Sequence, residues 1–151
     1  MVSFFIGKSG GDSVKDIEYV KKIIPHRAPF LLVDGVIEEE ENNIKAFRDI
    51  HPEDPVFQGH FPGYPIYPGV LIIEGLAQTA GVLLMKGKEG VPLFLGIEKA
   101  RFKGEVKPGD RLYYEVRVIQ ERRGIIFAEG IARVNDKKVC TATLMLGMKE
   151  N

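Results

Sequence analysis

A nearly all-apolar run lies in the middle of the chain and extends from Gly69 to about Lys86. The run is longer than an ordinary strand, and its apolar residues occupy almost every position around a helix, which predicts a helix buried on all sides. Glu74, Gln78 and Thr79 interrupt it, so it falls short of the roughly 20 apolar residues that span a bilayer. We therefore expect a core helix and no membrane-spanning segment.

Strand-like patterns lie on both sides of this helix. Two precede it, FLLVDGVIEEEE at 30–41 and NIKAFRDI at 43–50, with a tight turn at 41–43. Four follow it, near 92–103, 110–121, 124–134 and 138–148, with hairpin turns at 122–124 and 135–136. One apolar helix among about six antiparallel strands is buried most simply when the sheet curls around it. The pattern predicts an α+β fold in which a curved antiparallel sheet wraps a long central helix.

A shorter amphipathic pattern, SVKDIEYVKKII at 13–24, precedes the first strand. Its apolar residues recur at helical spacing, Ser13 is a capping residue with Asp16 three positions on, and Pro25 follows. We expect a helix over this segment that ends before the proline. Residues 1–12 are predicted to be a disordered extension of a single domain at 13–151.

Composition and charge narrow the classes of function. The 151 residues are 44% hydrophobic, and the 21 Lys and Arg equal the 21 Asp and Glu in number. Without net charge the molecule has no overall field that draws it to nucleic acid or an anionic membrane, so we expect neither partner. Cys140 is the single cysteine, which excludes an internal disulfide and suits a reducing compartment. Since the N-terminal residues do not resemble a signal peptide, we expect a cytoplasmic location.

Glu74 lies inside VLIIEGLAQ, where a carboxyl group is rarely buried without a partner or a purpose. Burial penalises the charged carboxylate, so we expect a raised pKa that keeps the group protonated and able to act as a general acid. Gln78 lies one turn further on the same helix face, where its amide can hold the carboxyl group in place. The sequence leaves open a Glu74 that points to a polar rim or pairs with a basic residue, and a Gln78 that is only a satisfied core amide.

His60 lies in GHFPG, between glycines on a loop that Pro62 restricts. Histidine titrates in the range in which a general base works, and this stiff loop leads directly into the helix that carries Glu74. Pro68 and Gly69 begin that helix and leave its first N–H groups free to bind an oxyanion. A structural or solvent-exposed role for His60 stays open at this point.

These groups suggest removal of a proton next to a carbonyl group, with loss of a β-hydroxyl. His60 would take the α-proton, the N–H of Gly69 would stabilise enolate-like charge, and Glu74 would protonate the leaving hydroxyl. The sequence has no G-x-S-x-G, no Cys/His nucleophile pattern and no phosphate loop, which argues against serine or thiol hydrolysis and nucleotide chemistry. The spacing of His51, Glu53 and His60 fits no known metal cage, so we expect no metal.

The chain resembles the bacterial β-hydroxyacyl-[acyl carrier protein] dehydratases of the FabZ type. The resemblance covers about residues 17–148 and rests on IIPHRAPFLLVD, FQGHFPGYPIYPGVLIIEGLAQ, GIEKARFKGEVKPGD and KVCTATLMLG. It implies the hot-dog fold and cofactor-free dehydration of (3R)-hydroxyacyl-[acyl carrier protein] to the trans-2-enoyl product in fatty acid elongation. It also implies a homo-oligomer in which dimers assemble into a trimer of dimers. By position it assigns catalysis to His60 and Glu74, which meet across the dimer interface, and the carbonyl-polarising amide to Gly69.

Two positions depart from the family pattern. Val56 stands where an aromatic residue is common, and Gly75 stands where alanine is common. We expect Gly75 to weaken the helix by roughly 0.5 to 1 kcal/mol and to leave the chemistry intact. The related dehydratase/isomerase has an aspartate at the position of Glu74, so this glutamate implies dehydration without isomerisation.

The resemblance also suggests residues for substrate access. Tyr64 follows His60 in the loop, where some relatives have a residue that gates the acyl tunnel; an exposed loop aromatic is the alternative. Basic residues at a spacing of two predict a shared strand face for the acidic carrier protein, and a charged turn follows the next strand. The residues of the strand face are Lys99, Arg101 and Lys103, and those of the charged turn are Arg122 and Arg123. A merely solvated basic face is the alternative.

Two other functions remain open on the sequence. A hot-dog acyl thioesterase would use a carboxylate to activate water, and a non-catalytic acyl-binding regulator would share the fold without turnover. The GHFPG segment before Glu74 favours the dehydratase.

Overall fold

The structure is a computed structural model that describes residues 13–149. Within that range two α-helices, a short 3₁₀ helix and six strands follow one another. In chain order they are α1 Ile17–Ile23, β1 Gly35–Glu39, β2 Asn43–Asp49, the 3₁₀ helix Pro55–Gln58, α2 Gly69–Leu84, β3 Val91–Phe102, β4 Arg111–Arg122, β5 Ile125–Val134 and β6 Lys137–Lys149. The extension predicted at 1–12 lies outside the described residues.

The six strands form one antiparallel sheet in the order β1-β2-β4-β5-β6-β3. Bulges or irregularities interrupt the register in β1, β3, β4 and β5. A bulge bends its strand and increases the local twist. The sheet curves as a result, and α2 packs against its strands β2 to β6. This confirms the predicted fold, a curved antiparallel sheet around one long helix.

The core lies between α2 and the inner face of the sheet. Leu76 and Ala80 of α2 are fully buried, and so are Leu112, Tyr114 and Val116, which alternate along β4. That alternation places the three β4 side chains on one face, towards the helix. Among residues 13–149 no helix is long and apolar enough to cross a membrane.

The first helix is shorter than its pattern predicts. The Asp16 side chain accepts hydrogen bonds from two backbone N–H groups of the first turn, at 3.0 and 3.3 Å, so Asp16 and not Ser13 is the N-cap. Lys15 instead pairs with Val36 of β1 through two backbone hydrogen bonds of 2.8 and 2.9 Å. The prediction of a helix from residue 13 was wrong because this long-range pairing holds the backbone before Asp16 outside the helix.

The first predicted strand is also shorter, because β1 begins only at Gly35. In the segment before it, the amide of Gln78 accepts from the N–H of Leu32 and donates to the carbonyl of Phe30, each at 2.8 Å. The Tyr114 hydroxyl donates to the carbonyl of Leu32 at 3.0 Å. The apolar pattern correctly indicated a buried segment. Its extension of β1 back to residue 30 was wrong because side chains bind those backbone groups in place of a neighbouring strand.

Candidate active site

His60 lies in a closely bonded loop between the 3₁₀ helix and α2. Its carbonyl accepts from the N–H of Ile66 at 3.0 Å, and its ring Nδ1 lies 2.7 Å from the carbonyl oxygen of the same residue. A carbonyl oxygen can only accept, so Nδ1 carries the proton of the neutral ring and Nε2 keeps its lone pair. The Phe61 ring stacks on the imidazole with 4.0 Å between centroids. The loop thus fixes both the tautomer and the ring.

Gly69 begins α2 and lies against the ring of Phe102. A Cβ at Gly69 would approach two atoms of that ring to 2.6 Å, so only glycine fits without a shift. The N–H groups of Leu71 and Ile72 both donate to the carbonyl of Pro68, at 3.1 and 3.3 Å. The N–H of Gly69 has no acceptor in the described part of the chain, and it points outward from the positive end of the helix. It is therefore available to an oxyanion.

Glu74 lies just over one turn into α2, and its side chain is 20% exposed. The Nε2 of Gln78 donates to its Oε2 at 2.9 Å, while the Gln78 oxygen is held by the N–H of Leu32. Those two bonds fix the orientation of the amide, so its N–H₂ must face the carboxyl group. An acid proton on Glu74 is then carried by Oε1, the oxygen that remains available to a substrate.

His26 is a neighbour of Glu74 that sequence reasoning missed. Its Nε2 lies 3.9 Å from the Glu74 Oε2, and both residues line the same small cavity. Burial lowers the pKa of His26, and this effect outweighs the opposing attraction of the Glu74 carboxylate. Because 47 residues separate the two in sequence, no local spacing brings them together, and only the position of His26 within IIPHRAPFLLVD gave a signal.

His60 and Glu74 have no direct contact in the described part of one chain. Across residues 13–149 no hydrogen bond or ion pair links them, and the cavity at Glu74 is lined by His26 and Gln78 but not by His60. The candidate base and the candidate acid of one chain therefore line different parts of its surface. Whether a second copy brings the two together is a matter of the prediction that they meet across a dimer interface.

Comparison with known proteins decides the family. A model of the FabA-like domain matches residues 24–143. A relative from Thermotoga maritima, named 3-hydroxyacyl-[acyl-carrier-protein] dehydratase FabZ, is 67% identical over 135 residues, which cover 89% of this chain and 98% of the relative. The chain belongs to the FabZ family. Members of the same name from Petrotoga mobilis and Yersinia enterocolitica are 51% and 46% identical and cover 90% and 85% of this chain and 99% and 80% of their own.

Solved structures of low identity share the fold of this FabZ-family chain. The dehydratase heterocomplex ApeI:P from Xenorhabdus doucetiae matches with a TM-score of 0.75 and 21% identity, over 87% of this chain and 91% of that one. A hypothetical thioesterase with coenzyme A from Streptococcus pneumoniae matches with a TM-score of 0.60 and 11% identity, over 77% and 87%. These likenesses bear on the hot-dog fold alone, and the fold does not separate a dehydratase from a thioesterase.

Tyr64, the candidate gate of this FabZ-family member, is 51% exposed. Its hydroxyl donates to Oε1 of Glu105 at 2.8 Å, and that hydrogen bond raises the pKa of Tyr64. Glu105 lies in the loop before β4, so the contact ties the His60 loop to a second loop. The cavity at Glu74 is not lined by Tyr64. A gating role therefore stays a prediction.

The basic residues do not share one regular strand face. A register shift between Glu98 and Arg101 interrupts β3, Lys99 has a φ of 55°, and Lys103 lies beyond the end of the strand. The prediction from a spacing of two was wrong because a bulge breaks the alternation. Residues 122–123 lie at the β4–β5 turn, and in the ladder they are far along the sheet from Arg101, which pairs with Thr141.

The glycine at position 75, where the FabZ family commonly has alanine, faces Tyr114. A Cβ on Gly75 would lie 2.2 Å from the phenol oxygen and 2.4 Å from the ring carbon that carries it. Tyr114 is fully buried, burial raises its pKa well above the ordinary value, and it therefore remains a donor to the carbonyl of Leu32. Glycine in place of alanine at position 75 therefore leaves room for Tyr114. The tyrosine in turn holds the segment around Leu32, which Gln78 also binds.

Proposed function

We propose that this FabZ-family chain removes water from (3R)-hydroxyacyl chains on acyl carrier protein and forms the trans-2-enoyl product in fatty acid elongation. The observation that carries the proposal is the bond from His60 Nδ1 to the Ile66 carbonyl, which leaves Nε2 as a base on a fixed ring. The names of relatives at 46% to 67% identity support the same hydro-lyase activity and the same substrate.

The reaction follows from three groups. His60 Nε2 takes the α-proton, the C2–C3 double bond forms, and the C3–O bond breaks as Glu74 gives its proton to the leaving hydroxyl. The N–H of Gly69 binds the thioester oxygen, on which negative charge develops. The products are the enoyl thioester and water, and the proton on His60 must return to Glu74 before the next turnover. These steps use the protein's own groups and no cofactor.

A dimer is part of the proposal because the His60 and the Glu74 that act on one substrate belong to different chains. β3 is an edge strand of twelve residues, and Leu93, Leu95 and Ile97 on it are 40% to 48% exposed. A long apolar edge strand is a site for pairing with another chain. A second copy that pairs along β3 covers this apolar surface. The trimer of dimers rests on the resemblance alone.

The carrier protein and the location complete the proposal. Lys99, Arg101 and Lys103 provide positive charge around the end of β3, which is complementary to an acidic carrier protein. Their arrangement is irregular, so the support comes from charge and not from a shared face. We place the reaction in the cytoplasm, for which a single buried free cysteine, Cys140, is suitable.

The test is an assay of the wild-type protein with a 3-hydroxyacyl thioester, in which enoyl absorbance and free thiol are followed together. A dehydratase produces enoyl absorbance without free thiol. Release of thiol instead would establish the thioesterase, and binding without any turnover would establish the regulator.

Variants then test the two roles. His60→Ala and Glu74→Gln should each lower turnover by at least roughly 10²-fold while the fold is retained, as expected for a lost general base or acid. His51→Ala and Glu41→Gln are matched controls at exposed positions and should retain turnover. Near-normal turnover in either site variant would refute its assigned role.

A further inference from the structure

Arg48 of β2 is a charged residue on the inner face of the sheet. It alternates with Ile44 and Ala46, which are fully buried, so its side chain points towards the core, where it is only 15% exposed. Burying a charge is costly unless opposite charges and hydrogen bonds compensate it. The guanidinium group must therefore be paired, and its partners lie on two separate segments of the chain.

One arm of the guanidinium group leads to His60. Nη2 of Arg48 donates to Oδ2 of Asp54 at 3.1 Å. Oδ1 of the same carboxylate accepts from the N–H of Val56 at 3.1 Å, at the start of the 3₁₀ helix. The carbonyl of Val56 in turn accepts from the N–H of His60 at 3.1 Å. Three consecutive hydrogen bonds thus join Arg48 to the backbone of the proposed base.

The other arm leads to Glu74. Nη1 of Arg48 donates to the carbonyl of Leu31 at 3.1 Å, and it lies 3.9 Å from an oxygen of Asp34 on the same segment. Leu31 lies between the two residues whose backbone groups bind the amide of Gln78, and that amide donates to Glu74 at 2.9 Å. The second arm therefore holds the segment against which the proposed acid is oriented.

We infer that Arg48 is a positioning residue that holds both the His60 loop and the segment that orients Glu74. This inference rests on the proposed function, because it assigns the two segments to one reaction. A planar guanidinium group suits the role, since its two terminal nitrogens can bind two segments at once, whereas the single ammonium group of lysine cannot span them. Since the proposed site is shared between chains, each Arg48 supports the base of one site and the acid of the other.

The first test compares steady-state kinetics of wild type, Arg48→Met and Arg48→Lys on a 3-hydroxyacyl thioester. Methionine removes both arms, so kcat should fall by at least roughly tenfold, because a misplacement of about 1 Å can already cost about 10²-fold. KM should stay near the wild-type value, since Arg48 is not among the residues that line the cavity at Glu74. Arg48→Lys keeps the charge and can form one arm, so its kcat should lie between the other two.

Arg111→Met is the matched control for these kinetics. It removes an exposed arginine that pairs with Asp49, next to Arg48 in β2, and it should retain kcat because this pair contacts neither segment. An unchanged kcat in Arg48→Met, or a loss that appears only as a higher KM, would overturn the inference.

A second variant keeps the inference falsifiable if Arg48→Met does not fold. Asp54→Asn keeps an oxygen for the N–H of Val56 and turns an amide N–H₂ towards Arg48, so only the arm to His60 is lost. Its kcat should fall while KM is retained. Glu53→Gln, at the exposed neighbouring position, is the control and should retain both values. An unchanged kcat in Asp54→Asn would overturn the inference.

Backbone hydrogen exchange separates this inference from the proposed function. If wild type does not dehydrate the thioester, the proposed function is wrong, and exchange still shows whether Arg48 holds both segments. In Arg48→Met the amides of His60 and Leu32 should both exchange faster than in wild type, whereas in Asp54→Asn only that of His60 should. The amides of β6, which is not adjacent to β2 in the sheet, should be unchanged. Faster exchange throughout the chain, or at only one of the two amides in Arg48→Met, or at neither, would overturn the inference.

Discussion

The amide nitrogen of Gln78 lies 2.9 Å from a carboxylate oxygen of Glu74, one helical turn earlier in α2. The amide oxygen of Gln78 accepts a hydrogen bond from the N–H of Leu32, which lies in a segment that belongs to no strand. The position of the proposed acid is therefore set by a contact between α2 and the segment before β1. From this contact we predict that Gln78 is a positioning residue.

Gln78→Leu should lower kcat and leave KM nearly unchanged, because the variant loses orientation of the acid and no contact with the substrate. It also leaves the N–H of Leu32 and the carbonyl of Phe30 unpaired, which should lower the free energy of unfolding by about 1 to 3 kcal/mol. Steady-state kinetics and denaturant unfolding measure the two effects. Gln120→Leu, on the exposed end of β4, is the control, and an unchanged kcat in Gln78→Leu would exclude the positioning role.

Gly75→Ala should destabilise the protein by about 1 to 3 kcal/mol, the usual cost of overpacking a core. The reason is the 2.2 Å approach of a Cβ to the Tyr114 oxygen. The double variant Gly75→Ala, Tyr114→Leu should lose less stability than the sum of the two single variants, because leucine does not extend to that space. Free energies of unfolding for the four proteins of this cycle measure the coupling. Additive losses would show that Tyr114 is not the reason for this glycine.

Local features of the sequence are sufficient to indicate part of the candidate site. Glu74 interrupts an apolar helix, His60 lies in a Pro/Gly loop, and Gly69 follows Pro68 at a helix start, so each is recognisable from its immediate neighbours. The same holds for α2 and for β4 to β6, whose predicted ends lie within about two residues of the observed ones. These elements could be predicted because hydrophobic periodicity and turn residues are properties of short segments and do not depend on distant contacts.

The structural features that could not be predicted from the sequence all depend on contacts between residues that are distant along the chain. His26 reaches Glu74 only through the packing of the segment after α1 against α2. The backbone of residue 32 is bound by Gln78 and Tyr114, so an apolar run that looked like a strand is not in the sheet. The bulge at Lys99 depends on pairing with β6. Spacing within one segment carries no information about such partners.

His26 should make stability depend on pH. Burial lowers its pKa in the folded chain below the ordinary value of 6.5, so the unfolded chain binds the proton first as pH falls. The folded state therefore loses stability as pH falls through about 6.5, and the loss is complete below the folded-state pKa. Relative to His26→Gln, wild type should become progressively less stable between about pH 8 and pH 5.

Denaturant unfolding of wild type and His26→Gln at several pH values measures this difference. His51→Gln, at an exposed histidine, is the control and should give a curve parallel to wild type. Parallel curves for wild type and His26→Gln would contradict the assigned burial effect.

The central claim is that one site is built from His60 of one chain and Glu74 of another. The most direct test is to unfold His60→Ala and Glu74→Gln together in equal amounts, refold them, and measure dehydration of a 3-hydroxyacyl thioester. An intact site needs His60 from a Glu74→Gln chain and Glu74 from a His60→Ala chain, so random pairing should restore about one quarter of wild-type turnover. Each variant refolded alone should stay inactive. A mixture that is as inactive as its two components would contradict a site shared between chains.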